Sequence, residues 1–503
     1  MLNAEPLLEQ MQAVRAEVVA EVERRAIEWG PRLRTEQAAR SAENLAAYLA
    51  LRRRDLTGLQ QELRLWGLST LGRSESRVMA SLDAVIATLA TLATVPNVAR
   101  PTASAFEAGA QRLERNATAL FGPHPDGHHA RIMVTLEPDV GLDAERLSGL
   151  LRDGVDSVRI NCAHDGAEAW RGMAETVRRT AAAAGRSCPI LMDLAGPKIR
   201  TRAAAWPEER RRIEAGDILL MHFGETPAAG DGFSVACSLV EALRQVPAGA
   251  EVALDDGAIV GRVEAIDSSG LRVRVSRTKP RGTKLKDDKG INFPGTPLQI
   301  APLTTEDLAA LDVVASAADM VGYSFVQRAE DVARLRAELA ARRGELPPQG
   351  LVAKIETQLA FANLPEIVVE AMGSGPFGVM IARGDLAVEI GFARLSEVQE
   401  EILWLCEAAQ VPVIWATQVL ESLVKNGMPA RGEFTDAAMG ARAECVMLNK
   451  GVHLAEGVRA LDDILRRARR HFEKKSPMLT QLHAWPAPEL APSAAGEASG
   501  SGS

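Results

Sequence analysis

From residue 130 onward, short apolar runs alternate with helical stretches, and this alternation restricts the fold more than any other feature of the chain. The runs cover residues 132–136, 157–162, 189–194, 319–326, 351–356, 377–382, 412–417 and 445–448. Every run except the third leads into a helical pattern. Strands separated by helices pair in parallel, because the helix carries the chain back to start the next strand in the same direction. Eight such units predict an α/β fold, a closed (β/α)8 TIM barrel, with its chemistry at the C-terminal ends of the strands.

The exception after the third run spans about residues 202–286. It holds turn signals and alternating segments at 218–221, 251–254 and 271–275, and no long helix. It reads as a small all-β domain inserted at the active-site face, a mobile cap whose closure excludes water. Before the barrel, Leu7, Leu8, Met11, Val14, Val18 and Val22 form an amphipathic stripe. Ser41 is the expected N-cap of a second helix, and Ser74 or Ser76 of a third reaching Thr94. Residues 101–129, rich in Ala, Gly, Pro and His, read as a linker. The expected division is 1–125 helical extension plus linker, 126–202 and 287–475 barrel, 203–286 cap, and 476–503 a tail disordered by composition. The extension is expected to pack without chemistry, or else to serve oligomerisation or regulation.

Bulk properties exclude several functions. A formal net charge of −8 in 503 residues argues against general nucleic-acid binding. No run of apolar residues is long enough to span a membrane, and residues 1–5 lack a secretory pattern. The five scattered cysteines contain no C-x-x-C pair and read as reduced thiols of a cytoplasmic protein.

The candidate chemistry lies at the strand ends. Lys354 and Glu356, two apart on a strand, share a face. That pairing alone is equally well a plain salt bridge. Asp385 ends the next strand, and two carboxylates can hold Mg²⁺, which keeps waters and substrate oxygens in its other positions. Lys354 then supplies charge for an oxyanion or a transferring phosphoryl group. Gly384 allows close approach of a ligand to backbone at a helix N-terminus. Thr417 ends the seventh strand, where strand packing or a proton relay is open to it. Arg159 and Asn161 share a face at the end of strand two; Asp193, Lys198 and Arg200 follow strand three beside Gly196 and Pro197. Arg159, Lys198, Arg200 and Lys354 at one mouth call for an anionic ligand.

With these residues in place, the chain resembles the pyruvate kinase family over about residues 130–472. The resemblance is carried by ordered motifs: Arg131-Ile132-Met133-Val134-Thr135-Leu136, Arg159-Ile160-Asn161-Cys162-Ala163-His164, Asp193-Leu194-Ala195-Gly196-Pro197-Lys198-Ile199-Arg200-Thr201, Asp255-Asp256-Gly257, Lys289-Gly290-Ile291-Asn292-Phe293-Pro294-Gly295, Ala353-Lys354-Ile355-Glu356, Ala382-Arg383-Gly384-Asp385-Leu386 and Ala416-Thr417-Gln418-Val419-Leu420-Glu421-Ser422. It implies Mg²⁺- or Mn²⁺-dependent phosphoryl transfer from phosphoenolpyruvate to ADP. It further implies that Glu356 and Asp385 ligate the metal and that Lys354 stabilises the transferring group and the enolate. Arg159 would grip the substrate phosphate, Gly384 and Thr417 the carboxylate, and Arg200 and Lys289 the ADP phosphates. A homo-oligomer is expected.

The departures from the family pattern concern the monovalent cation and the nucleotide. Asn161 and Asp193 of the family's potassium site remain, but Ala163 and Leu194 replace its hydroxyl residues, and Lys198 replaces a nearby glutamate. Family members with that lysine look potassium-independent, so no potassium requirement is expected. The strand-eight motif reads Leu448-Asn449-Lys450-Gly451, and Glu137 and Val140 alter the first motif. The family's C-terminal regulatory domain has no counterpart, so sugar-phosphate activation through it is not expected. Two other readings stay open: a related barrel enzyme with a different phosphoryl acceptor or a 2-oxo acid substrate, and a non-catalytic regulatory relative.

Overall fold

The computed structural model describes residues 3–123, 128–224, 232–474 and 476–477. Eight parallel strands close into a barrel: Arg131–Leu136, Ser157–Asn161, Ile190–Asp193, Met320–Tyr323, Gly350–Ile355, Phe377–Ala382, Val413–Ala416 and Cys445–Leu448. Each pairs with its sequence neighbours, and the first closes on the eighth through Arg131↔Cys445 to Val134↔Leu448. The two-residue period of a strand sorts the side chains. Outward residues such as Ile132, Val134, Leu351, Ala353 and Ile355 join the core beneath the helices. Inward residues Met133, Leu191, Met320, Val352, Met380, Ile414 and Met447 form a separate apolar layer.

That inner layer is sealed by a helix the sequence reading misses. Residues 101–129 are not a linker: Ala103–Phe121 is a helix whose Ala117, Leu120 and Phe121 join the inner layer of the barrel. The Ala, Gly, Pro and His content that suggests a linker includes Gly109, which has a packing role. That glycine marks a close approach, since a Cβ there would lie 2.0 Å from the Ser76 carbonyl oxygen. The earlier helices are Glu5–Trp29, Glu36–Arg52, Thr57–Leu65 and Val78–Leu92. Thr35, not Ser41, caps the second, accepting from the Ala38 amide. Neither Ser74 nor Ser76 caps the helix beginning at Val78, whose N-cap position is Arg77. This helical unit docks on the barrel's outer helices. Trp29 Nε1 donates to Glu366 at 3.1 Å, Arg32 pairs with Glu366 at 2.6 Å, and Asn44 Nδ2 donates to the Ala408 carbonyl at 2.7 Å.

After strand three the chain leaves the barrel and builds a seven-stranded mixed sheet running from Thr201–Ala205 to Ile291–Asn292. It has its own core around Leu219, Val235, Val252, Val263, Leu271 and Val273. Where the chain leaves and returns, Arg200 and Gly290 pair in a single antiparallel bridge. The β domain rests on the helix Arg383–Ile390: Ala253 and Val260 pack on Val388, and Asn292 Nδ2 donates to Glu389 Oε1 at 3.3 Å. The five cysteines are unpaired. Among the described residues, no helix is long and apolar enough to cross a membrane. The tail beyond residue 477 lies outside the described residues.

Candidate active site

On strand five the inner face runs Val352, Lys354, Glu356 from the sealed end to the mouth. The apolar layer therefore gives way to charge one strand repeat higher. The Lys354 ammonium uses all of its donors: Nζ lies 2.7 Å from Ser324 Oγ, 3.1 Å from Glu356 Oε1 and 3.2 Å from Asp193 Oδ2. Burial opposes its charge, but Asp193 and Glu356 outweigh that and hold its pKa above the ordinary lysine value. Arg159 meets Asp193 Oδ2 from strand two, with Nε at 2.8 Å and Nη2 at 2.5 Å, while Nη1 donates to Thr135 at 3.2 Å. Burial raises the pKa of Asp193, but Lys354 and Arg159 overcome it and keep the carboxyl below its usual range.

Two small residues make room for this cluster. At Gly322 a Cβ would stand 2.5 Å from Asp193 Oδ1, so no larger residue fits opposite that carboxylate. Ser324 bridges two strands: its hydroxyl donates to the Leu194 carbonyl at 2.6 Å while accepting from Lys354. Neither residue was singled out from the sequence. A glycine inside a strand pattern was the available signal for Gly322; Ser324 gave none.

Glu356 and Asp385 stand at the rim. Glu356 Oε2 accepts from the Phe325 amide at 2.7 Å, made possible by the left-handed Phe325 backbone, φ 56°. Burial raises the Glu356 pKa; Lys354 opposes this and the charge of Asp385 reinforces it. Two mutually repelling carboxylates, one buried, form a hard-oxygen donor set that a dication relieves, so these residues fit Mg²⁺ or Mn²⁺. The Asp385 carboxylate also receives the Lys198 ammonium, at 2.9 and 3.1 Å. Asp256 of the β domain reaches the same place: burial raises its pKa, Lys198 opposes this and Asp385 adds to it.

The remaining candidate residues fall into separate groups. Thr417 Oγ1 accepts from the Gly384 amide at 2.9 Å. Thr417 has φ 65°, a strained value for a β-branched residue. Arg383 secures it, donating to the carbonyls of Ala416 at 2.9 Å and Thr417 at 2.5 Å, pairing with Asp436, and stacking 4.6 Å over Trp415. Asn161 Oδ1 accepts from the Ala163 amide at 3.2 Å, within its own turn. Arg200 and Lys289 lie at the root of the β domain; Arg200 donates to the Asp288 carbonyl at 3.1 Å and Lys289 pairs with Asp255 at 2.9 Å. The two altered motifs meet across strands one and eight, Lys450 to Glu137 at 2.8 Å.

Fold and site thus define a (β/α)8-barrel protein with a charged mouth beneath an inserted β domain. Residues 128–467 match the pyruvate kinase barrel-domain family, and the chain belongs to the pyruvate kinase family. It is 32% identical over 355 residues to a pyruvate kinase of Geobacillus stearothermophilus, covering 69% of this chain and 58% of that one. A pyruvate kinase of Hypocrea jecorina is 31% identical, covering 70% and 66%, and one of Aeropyrum pernix 32%, covering 63% and 65%. Each match spans less than two thirds of the relative. A crystal structure of a pyruvate kinase from Cryptosporidium parvum superposes with TM-score 0.61 at 26% identity, covering 70% of this chain and 72% of that one.

Proposed function

We propose that the protein is a pyruvate kinase, moving the phosphoryl group of phosphoenolpyruvate to ADP and protonating the enolate at carbon. The observation that carries this reading is the buried Lys354 ammonium between Asp193 and Glu356. It is a fixed positive charge beside a two-carboxylate metal site. As transfer proceeds, a terminal oxygen of ADP bonds to phosphorus, the bridging P–O bond breaks, and its electron pair stays on the enolate oxygen. Lys354 stabilises charge on the transferring group and on that oxygen. Arg159 holds the substrate phosphate. Gly384 and Thr417 contact the substrate carboxylate, and Thr417 stands near the proton delivered to carbon.

Arg200 and Lys289 meet the ADP phosphates, exchanging Asp288 and Asp255 for them. Glu356 and Asp385 would hold Mg²⁺ or Mn²⁺, which when bound neutralises phosphoryl and enolate oxygens. Lys198, whose ammonium lies on Asp385 rather than on Asn161 or Asp193, supplies a tethered positive charge in place of a monovalent cation, so potassium is not required. The β domain closes over the mouth and excludes water. A cytoplasmic homo-oligomer fits this role.

The test is pyruvate formation from phosphoenolpyruvate, ADP and Mg²⁺, in potassium-free and potassium-containing buffer, beside Lys354→Met. Equal rates in both buffers and a loss of at least about 10²–10³-fold in the variant are expected. Rates that collapse without potassium would remove the role given to Lys198. One observation favours a second reading with another phosphoryl acceptor: the Lys450–Glu137 pair occupies the strand-one and strand-eight rim. Metal-dependent phosphoenolpyruvate binding without ADP turnover is the result that would select it. Absence of phosphoenolpyruvate binding would instead leave a non-catalytic regulatory relative.

A further inference from the structure

Beside the Lys354 cluster, a cavity of about 320 Å³ opens between the hinge of the β domain and the barrel. Its volume falls at the lower end of the range for small-molecule sites, roughly 300–1,000 Å³. The walls are mostly apolar. Ile199 and Ile291 come from the outgoing and returning hinge segments, Leu298 from the chain beyond them, Phe325 from the loop after strand four, and Leu359 from the helix Gln358–Ala362 after strand five. Arg159, Lys354, Glu356 and Thr417 do not line it.

One wall carries an acid that has no counter-ion among the described residues. Glu389 receives a single long hydrogen bond, 3.3 Å from Asn292 Nδ2. Burial pushes its pKa up to about 7, and the nearby Asp385 charge adds to this. Lys198 is the one cation among the lining residues, and its ammonium is committed to Asp385 at 2.9 and 3.1 Å. A carboxylate in apolar surroundings is costly alone and is stabilised when a cation reaches it. The missing partner is therefore a positive charge on an apolar body.

We propose that this hinge cavity binds a small molecule with a compact apolar body and a primary ammonium head, the head on Glu389 and the body against Ile199, Ile291 and Leu298. The walls belong to both the hinge and the barrel. An occupant that fits one position of the β domain better than another shifts the domain toward that position, which makes the cavity a control point beside the mouth. The inference does not depend on which phosphoryl acceptor the protein uses, because the residues given the transfer chemistry lie elsewhere, apart from Asp385 and Lys198, which share the lining.

The test is titration calorimetry of the full chain, without substrate or metal, with 2-phenylethylamine as the probe and 2-phenylethanol and 3-phenylpropionate as comparators. Saturable binding of the amine with Kd about 1 mM or tighter is expected, at least tenfold weaker for the alcohol and the carboxylate. Glu389→Gln, which keeps the shape and the Asn292 contact, should weaken the amine at least tenfold. Ala362→Trp, an exposed lining position pointing bulk into the cavity, should weaken all probes. Thermal unfolding checks that both variants fold. No saturable amine binding up to about 10 mM overturns the proposal. So does an alcohol that binds as tightly as the amine, or an amine affinity unchanged by Glu389→Gln. Pyruvate formation, measured separately, reports on the proposed reaction and not on this cavity.

Discussion

The two sides of the barrel mouth are built differently. Around strand five, Lys354, Asp193 and Glu356 have side chains only 11%, 1% and 4% exposed. They are fixed by strand backbone, by Ser324 and by the space left at Gly322. On the side of strands one and eight, Lys450 and Glu137 pair with side chains 47% and 42% exposed. Buried charges held by neighbours on rigid strands are expensive to unpair; half-exposed pairs exchange partners with water or ligand at little cost. The mouth is thus rigid around strand five, the side the proposed function gives to the substrate, and exchangeable at strands one and eight, the side it gives to the phosphoryl acceptor.

The contrast is tested most severely by Lys354→Met. Beyond the loss of turnover, it leaves Asp193 and Glu356 facing each other without their cation. A stability loss of about 3 kcal/mol in urea unfolding is expected, and a loss below 1 kcal/mol would show that the buried side is not tightly coupled. Gly322→Ala puts a methyl where only 2.5 Å separates it from Asp193 Oδ1. About 1–3 kcal/mol of destabilisation is expected, with a fall in kcat, since Asp193 must move and takes Arg159 and Lys354 with it. If both stability and kcat stay at wild-type values, the inner layer is looser than its geometry.

A smaller effect concerns Glu389. Its carboxyl is held near pH 7 against an ordinary value of 4.5. Between those values the folded chain binds more proton than the unfolded chain, so stability falls as pH rises through that window. Glu389→Gln should remove this slope and stabilise the protein at pH 8 by about 1 kcal/mol, reduced for partial exposure; urea midpoints at pH 5 and pH 8 measure it. The smallest effect belongs to the rim. Lys450→Ala should change stability by less than about 0.5 kcal/mol, and less still at high salt. A larger change in urea unfolding would make the rim structural and erase the contrast.

Much of the fold is legible in the chain because a parallel barrel strand is an apolar run with helices around it. The eight strands fall within a residue or three of the runs read from sequence, as with residues 319–326 against Met320–Tyr323. The reading failed where composition was set against periodicity. Ala103–Phe121 carries Leu113, Ala117 and Leu120 at helical spacing, yet its Gly and Ala content suggested a linker. Helix starts failed for a related reason: a serine signals a cap only when its backbone lies outside the helix, and Ser41 lies inside one. Within the site, Lys354 and Glu356 meet as two residues on one strand face should. The partners Ser324, Gly322, Arg383 and Glu389 were not assigned roles.

The sequence by itself determined the barrel, the inserted β domain, the family, and which charged residues end the strands, because period-two and helical patterns are local and the motifs follow in order. Only the tertiary structure decided which charges meet. Lys198 reaches Asp385 across 187 positions, Lys450 reaches Glu137 by closure of strand one on strand eight, and Ala103–Phe121 finds its place in the inner layer. Those contacts depend on how the closed barrel brings distant strand ends together, and no local pattern records that distance.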